Sequence, residues 1–241
     1  MRTAKPFKGP AMEGRIARWY ARNTEGDTRF RTIAEGVAAT LAPGARILEV
    51  APGPGYFAID LAKRGFSVTG VDISRTFVEI AEENARKAAV EVDFQVGNAS
   101  ALPFADGAFD LVVCMAAFKN FSDPLNALDE AHRVLGPQGR ALIYDLRKEA
   151  SRSEINAEVD AMRLSRLNSF WTRQTFRWFL LKNAYTRESL LGLVRNSRFG
   201  TGLYREDGIG FELTLVKAAE VGSQQARGAG EGIPAASSPA R

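Results

Sequence analysis

The sequence predicts an α/β fold in which seven strands form a mostly parallel sheet with helices on both faces. Short β-branched runs alternate with helical stretches across residues 46–145, a pattern typical of parallel βαβ units. A Gly-rich turn follows the first of these runs. Two further runs between residues 202 and 216 flank an Asp207-Gly208 turn, which favours an antiparallel hairpin at the C-terminal end of the sheet.

Local sequence patterns predict where each strand and helix lies. The predicted strands cover residues 46–51, 67–72, 90–96, 109–115, 140–145, 202–205 and 210–216. Helices are predicted at residues 12–23, 30–41, 57–63 and 187–197. Another helix is expected to start at a capping box of Thr76 and Glu79. A further one starts at Asp123-Pro124, carries an apolar stripe up to Leu135, and stops at Gly136-Pro137.

Length and composition predict one domain. The chain has 241 residues, of which 45% are hydrophobic and 25% charged, values typical of a globular protein. We expect a single domain over residues 1–217, with N-terminal helices at 12–41, a core at 46–145, a helical lid insertion at 147–185, and a closing helix and hairpin at 187–217. Residues 218–241 are rich in Gly, Ala, Ser and Gln and are expected to form a disordered tail.

Charge and cysteine content narrow the class of protein. No run is long and apolar enough to span a bilayer, and the basic start lacks the apolar stretch of a secretory signal. The single cysteine, Cys114, lies in an apolar run, which excludes an internal disulfide and predicts a buried thiol. These features predict a cytoplasmic protein. The net charge of +4 leaves open a nucleic-acid partner or an anionic small molecule.

The first candidate site is the turn after the first strand, Glu49-Val-Ala51-Pro-Gly53-Pro-Gly55. Glycines let the backbone approach a ligand there, and ligands of open α/β sheets bind at the carboxyl ends of the strands. Asp72 ends the second strand about 20 residues further on, where a carboxylate can accept from the hydroxyls of a ribose. The turn also matches the GxGxxA fingerprint of dinucleotide-binding proteins, but Glu49 would repel a pyrophosphate.

Two longer runs help to choose between these nucleotide sites. Residues 97–113 read GNASALPFADGAFDLVV, and residues 123–139 read DPLNALDEAHRVLGPQG. Both resemble the segments around the fourth and fifth strands of class I S-adenosylmethionine-dependent methyltransferases. They are most similar to the small-molecule subgroup that includes ubiquinone and menaquinone biosynthesis methyltransferases. The resemblance spans residues 46–145, extends to the closing hairpin, and implies a Rossmann-like sheet.

The resemblance implies that S-adenosyl-L-methionine is the cofactor and that the strand ends hold it. Glu49 would take the ammonium of the methionine moiety and Asp72 the ribose. The implied cofactor-binding residues are Glu49, Ala51, Gly53, Gly55, Asp72, Ile73, Asn98, Ala99, Met115 and Phe118. Two of them depart from the family pattern. Ala51 replaces a motif glycine, and Asn98 replaces the usual Asp, although an amide can still accept from and donate to adenine.

The resemblance says less about the acceptor, for which a small molecule, either aromatic and apolar or anionic, is predicted. The His that is frequent after the fourth strand is replaced around Phe118 and Lys119. The candidate substrate-binding residues are Tyr20, Lys119, Arg173 and Arg177. The last two lie in the insertion 147–185, which is rich in Trp, Phe and Arg and is expected to close over the strand ends with the helix 12–23. A plain amphipathic helix pair is the alternative interpretation of the insertion.

Other functions stay open at this point. A nucleic-acid methyltransferase is disfavoured because residues 114–120 lack the Asn/Asp-Pro-Pro-aromatic run that holds a flipped base. An NAD-dependent oxidoreductase, a homologue that binds the cofactor without turnover, and a homo-oligomer all remain compatible with the sequence. We expect His132 to be half-buried in a hydrogen bond, and we assign no catalytic residue. No cluster has metal-ligand spacing, so no metal site is predicted.

Overall fold

A computed structural model describes residues 7–8, 12–161, 174 and 181–219. Its strands are β1 Arg46–Val50, β2 Ser67–Asp72, β3 Asp93–Val96, β4 Phe109–Met115, β5 Leu135–Leu146, β6 Leu203–Asp207 and β7 Gly210–Val216. Its helices are α1 Gly14–Thr24, α2 Thr28–Ala38, α3 Tyr56–Lys63, α4 Arg75–Lys87, α5 Pro124–Val134, α6 Arg152–Ala161 and α7 Arg187–Asn196. A short 3-10 turn, Phe118–Asn120, follows β4.

The strands form one seven-stranded sheet in the order β3-β2-β1-β4-β5-β7-β6. Strands β1 to β5 run parallel, whereas β7 is antiparallel to both β5 and β6. The predicted fold class is therefore confirmed. The strand order reverses at β1, because β2 and β3 lie on one side of it and β4 lies on the other. Open α/β sheets bind their ligands in the crevice at such a switch point, outside the carboxyl ends of the strands.

Two apolar cores sandwich the sheet between layers of helices. On one face, Phe57 and Leu61 of α3 and Ala81 of α4 pack against the strands. On the other face, Leu128 of α5 and Leu190 of α7 do the same. The central strands have apolar residues on both faces, as expected of a parallel sheet that helices cover on both sides.

The start of α4 differs from the predicted capping box. The helix begins at Arg75, and Ser74 caps it by accepting a hydrogen bond from the Phe77 backbone N–H at 3.1 Å. Thr76 lies inside the first turn, so the Thr76–Glu79 capping box is wrong. Helix α5 begins as predicted, because Asp123 accepts from the Asn126 N–H and proline occupies the first turn.

Two strand boundaries differ from the prediction by three residues or more. β5 begins at Leu135, so this residue pairs with Phe109 of β4 instead of completing the α5 stripe, and Gly136-Pro137 lies inside the strand. The ladder shifts register next to this pair, between Phe109 and Leu111, and such irregularities tolerate a proline that cannot donate. β3 begins only at Asp93, not at residue 90.

The insertion 147–185 is only partly described. It begins with Arg147, whose guanidinium is buried and pairs with Glu154 of α6 and Glu206 of β6. Arg173 and Arg177 lie outside the described residues, as does the tail beyond residue 219. Within the described ranges, none of the helices has the length and apolar character needed to cross a membrane.

Candidate functional site

The Gly-rich turn joins the end of β1 to the start of α3 at the switch point of the sheet. Gly55 caps α3 with φ of 80°, and a Cβ there would lie 2.8 Å from Phe94 Cζ and 2.9 Å from the Cβ of Ala81. Only glycine therefore fits this position. Gly53 has φ of 54°, and a Cβ at Gly53 would meet no atom within 4 Å. The backbone at Gly53 is thus open to a ligand.

Ala51 keeps the backbone shape that the motif glycine would have. Its φ is 58°, in the left-handed region, and its N–H donates to Val71 O at 2.7 Å. The left-handed conformation costs a residue with a Cβ roughly 1–2 kcal/mol. The hydrogen bond to β2 holds the turn in that conformation, so the departure from glycine leaves the path of the chain as the motif requires.

Asp72 ties the end of β2 to the Gly-rich turn. Its side chain is 5% exposed, Oδ2 accepts from the Gly53 N–H at 3.0 Å, and Oδ1 accepts from the Ser74 N–H at 2.8 Å. Burial raises the pKa of Asp72 to about 6, against these two hydrogen bonds, which lower it. Each carboxylate oxygen has more than one acceptor direction, so Asp72 can bind a hydroxyl while it holds the turn.

Glu49 is the most unusual group at this edge of the sheet. It is 2% exposed, and its Oε2 has no hydrogen-bond partner among the described residues. Burial raises the pKa of Glu49 to about 8, the Ala58 N–H lowers it by donating to the carboxylate, and the nearby Asp72 raises it further. An unsatisfied buried carboxylate is costly and is typical of a ligand-binding position.

Three other predicted cofactor-binding residues lie along the ends of β2 and β3. Ile73 follows Asp72 and is 40% exposed, which is unusual for a large apolar side chain. Asn98 and Ala99 follow β3 and are half-buried. The Asn98 Oδ1 accepts from the Ser100 N–H at 3.0 Å, which fixes the amide in a local turn. An apolar side chain and an amide thus border the same edge as Asp72.

The two predicted cofactor-binding residues at and after the end of β4 lie in different places, one at this edge of the sheet and the other in the core. Met115 is half-buried at the strand end. Phe118 is buried, with its ring centroid 5.5 Å from that of Phe121 and 5.7 Å from that of Tyr185. The ring of Phe118 therefore supports the segment from the α5 and α7 side of the sheet.

Lys119 forms a buried ion pair that the sequence did not reveal. Its ammonium donates to Asp145 Oδ1 at 2.7 Å and to Ala116 O at 2.6 Å. Its backbone N–H donates to Asp145 Oδ2 at 2.8 Å. The two side chains are 6% and 0% exposed. The pair fixes the turn between β4 and the 3-10 turn, and a charge inside the apolar run of β5 was the available signal for Asp145.

A comparison with protein families covers this part of the chain. A family model described as a methyltransferase domain matches residues 48–143, from β1 to β5. This match contains Glu49, the Gly-rich turn, Asp72 and the ends of β3 and β4, so the residues brought together at the switch point all belong to it.

Two curated relatives are named as methyltransferases, and a solved structure shares the fold. The demethylmenaquinone methyltransferase of Thermus thermophilus is 41% identical over 121 residues, which are 49% of this chain and 54% of the relative. The ubiquinone/menaquinone biosynthesis C-methyltransferase UbiE of Geotalea uraniireducens is 39% identical over 109 residues, 43% and 46% of the two chains. The chain spans about half the length of these relatives. A SAM dependent methyltransferase from Aquifex aeolicus shares the fold, with a TM-score of 0.65, 19% identity, and coverage of 83% of this chain and 98% of that one.

Three further residues that the sequence singled out have these surroundings. Tyr20 of α1 is half-buried with its ring edge on Phe77 of α4, 5.8 Å between centroids, and burial raises its pKa. Cys114 is buried as predicted, and burial raises the pKa of its thiol. His132 packs edge-on against Phe199 at 5.0 Å, and its Nδ1 has no hydrogen-bond partner among the described residues.

Proposed function

We propose that this protein transfers a methyl group from S-adenosyl-L-methionine to a small-molecule acceptor at the carboxyl ends of β1, β2 and β4. The observation that carries the proposal is the buried, unsatisfied carboxylate of Glu49 beside the open backbone of Gly53. A cationic group placed there would stabilise the ionised form of Glu49 and satisfy its orphaned oxygen. The ammonium of a methionine moiety has this charge.

The other residues of the strand ends fit the remaining parts of the cofactor. Asp72 has acceptor directions for the ribose hydroxyls, and its hydrogen bond to Gly53 keeps the turn in place for the methionine moiety. Ile73, Asn98 and Ala99 would border the adenine, with an exposed apolar surface for the ring and an amide for its polar edge. A pyrophosphate, by contrast, would face Glu49, which argues against a dinucleotide.

The mechanism needs positioning more than it needs acid–base chemistry. When bound, S-adenosylmethionine supplies an already activated methyl group on a sulfonium. The chain's own residues would orient the cofactor from β1 and β2 and exclude water around the reacting atoms. Met115, half-buried at the end of β4, remains a predicted cofactor contact. The ion pair of Lys119 and Asp145 would hold the segment that carries Met115 in place.

We propose a quinone-type acceptor, that is, an apolar aromatic molecule with an oxygen-substituted ring. This rests on the names of the curated relatives, which are menaquinone and ubiquinone biosynthesis methyltransferases. Tyr20 borders the cofactor edge from α1, and it remains a candidate for the acceptor side. Arg173 and Arg177 remain predicted acceptor contacts in the insertion 147–185. Lys119 is held in its ion pair, so its proposed role is to position the segment.

Calorimetry on the whole chain tests the cofactor. We expect saturable binding of S-adenosylmethionine and S-adenosylhomocysteine, and none of NAD. Asp72→Ala should weaken binding by about 1.5–3 kcal/mol, because buried acceptors for the ribose are lost. Asp93→Ala is the matched control, since this acid is exposed at the opposite end of β3, and it should bind as the wild type does. Unchanged affinity in Asp72→Ala would remove Asp72 from the site, and saturable binding of NAD alone would overturn the proposed cofactor.

A further inference from the structure

Five hydrogen bonds attach the chain around the start of α1 to the start of α4. The Met12 O accepts from Ser74 Oγ at 2.6 Å, and the Gly14 N–H donates to Thr76 Oγ1 at 3.0 Å. The carboxylate of Glu13 accepts from the Arg75 N–H at 3.0 Å and from the Thr76 N–H at 3.1 Å. It also accepts from the Thr76 hydroxyl. Every donor and acceptor on the α4 side lies within four residues of Asp72.

These bonds continue into the candidate cofactor site. Ser74, which donates its hydroxyl to Met12 O, donates its backbone N–H to Asp72 at 2.8 Å. Asp72 in turn accepts from the Gly53 N–H at 3.0 Å. One connected series of hydrogen bonds therefore runs from the Gly-rich turn through Asp72 and Ser74 to the segment that leads into α1.

Glu13 does more than a local cap requires. Ser74 already caps α4 through the Phe77 N–H, with a separation of three residues. Glu13 reaches the same helix end from 62 residues away in the sequence. The contact therefore fixes the segment ahead of α1 as well as the helix end. The hydrogen bonds from Thr76 lower the pKa of Glu13, which keeps the carboxylate ionised at the positive end of the α4 dipole.

Helix α1 has little else to hold it. It has 11 residues, of which only Ala17 and Ala21 are buried. A helix of this length is marginal by itself in water. A second tether is the Tyr56 hydroxyl at the start of α3, which donates to Ala21 O at 2.9 Å. In addition to the Tyr20 ring on Phe77, docking of α1 therefore depends on two polar attachments, and both lie on helices that begin at the candidate cofactor site.

We propose that Glu13 is a positioning residue that holds α1 against the Asp72 edge, so that docking of α1 and binding of the cofactor stabilise each other. This rests on the proposed function, which places the ribose at Asp72. Because binding free energies are reciprocal, a ligand that orders Asp72 and Ser74 also strengthens the attachment of α1. Removal of the attachment must then weaken the binding of that ligand.

Two measurements on the full chain test the coupling, with S-adenosylmethionine as the probe. Calorimetry gives the affinity, and hydrogen exchange of residues 12–24 gives the docking of α1 with and without the probe. We expect Glu13→Ala to weaken binding at least fivefold and to abolish the protection of α1 that the probe produces in the wild type. Glu13→Gln keeps one acceptor and should give an intermediate loss. Glu25→Ala removes an exposed acid at the other end of α1 and should match the wild type.

The outcomes separate this proposal from the proposed function. If the wild type does not bind S-adenosylmethionine, the proposed function fails. If the wild type binds and Glu13→Ala binds equally well with a lowered melting temperature, Glu13 is only a structural cap and the coupling is wrong. Should Glu13→Ala not fold, Thr76→Val keeps the backbone donors and removes only the hydroxyl contacts. A weaker affinity with loss of α1 protection in that variant would support the coupling, and an unchanged affinity would contradict it.

Discussion

Buried carboxylates occur on both sides of the switch point, and they differ in their ion-pair partners. On the β1 and β2 side, Glu49 and Asp72 are 2% and 5% exposed, and in the described part of the chain no lysine or arginine forms an ion pair with either. On the β5 side, Asp145 is equally buried and pairs with the ammonium of Lys119 at 2.7 Å. Burial raises the pKa of Glu49 to about 8 and that of Asp72 to about 6.

The presence or absence of a cationic partner distinguishes a carboxylate that stabilises the fold from one that can bind a ligand. An internal cation satisfies Asp145, so this carboxylate can brace the turn after β4 but has no charge to offer to a ligand. Among the described residues Glu49 and Asp72 have no such cation, and their burial is unfavourable until a ligand supplies polar or positive groups. Four experiments can break or sharpen this contrast.

The largest effect is expected from removal of the internal cation. Lys119→Met leaves Asp145 buried without a partner, which should destabilise the protein by about 3–5 kcal/mol. Urea unfolding measures the loss. The control is Lys87→Met, which breaks the exposed pair with Glu83 and should cost less than about 0.5 kcal/mol. If Lys119→Met lowered the free energy of unfolding by less than about 1 kcal/mol, the ion pair would not be what stabilises the turn after β4.

A smaller, pH-dependent effect is expected at Glu49. Its folded pKa, about 8, lies above the ordinary value of 4.5, so the folded state binds an extra proton between these values. The stability that this proton provides is fully present below pH 4.5 and is lost as the pH rises through about 8. The loss is at most about 1.4 kcal/mol per pH unit. Between pH 6.5 and 8, the upper part of this window, Glu49→Gln should unfold with a flatter pH dependence than the wild type.

The same substitution tests the ligand. If an ammonium binds beside Glu49, it lowers the pKa of the carboxylate, and binding at neutral pH should release about one proton. Calorimetry in two buffers of different ionisation enthalpy measures this number. Glu49→Gln should release none, and Glu79→Gln, an exposed acid on α4, should behave as the wild type. Equal proton release in Glu49→Gln and the wild type would place the ammonium elsewhere.

The smallest effect is expected at His132, a half-buried residue whose Nδ1 has no partner in the part of the chain that the structure describes. It lies on α5 just before the start of β5, away from the carboxyl ends of the strands. Burial, together with the nearby Lys217 and Arg198, lowers its pKa, so the neutral ring is favoured in the folded protein. The unfolded chain therefore binds more protons, and stability falls as the pH drops below the ordinary value of 6.5. His132→Phe should keep the contact with Phe199, remove this acid sensitivity, and leave S-adenosylmethionine binding unchanged. A weaker affinity would connect α5 to the site.

The elements that the sequence predicted well have local causes. β2 and β4 have the predicted bounds, because β-branched runs between turn residues are readable one strand at a time. The turn at Gly53 and Gly55 was equally visible, since its conformation depends on residues next to each other in the chain. The roles of these residues in binding remain predictions.

The features that the sequence did not reveal depend on distant residues. Lys119 finds Asp145 across 26 positions, and Glu13 finds Thr76 across 63. No spacing rule connects such pairs. The capping box at Thr76 failed for the same reason, because Ser74 supplied the local cap and a distant carboxylate took the Thr76 hydroxyl. Positions of this kind become visible only when the fold brings them together.

The position of β7 between β5 and β6 has a consequence for the chain as it is made. β5 is complete at Leu146, but the strand that covers its outer edge begins only at Gly210. A ribosome adding roughly 5–20 residues per second needs several seconds to cross that interval. Throughout it, the β5 edge offers unpaired backbone groups to any neighbouring chain. Protection by a chaperone would therefore matter most between the emergence of β5 and that of β7.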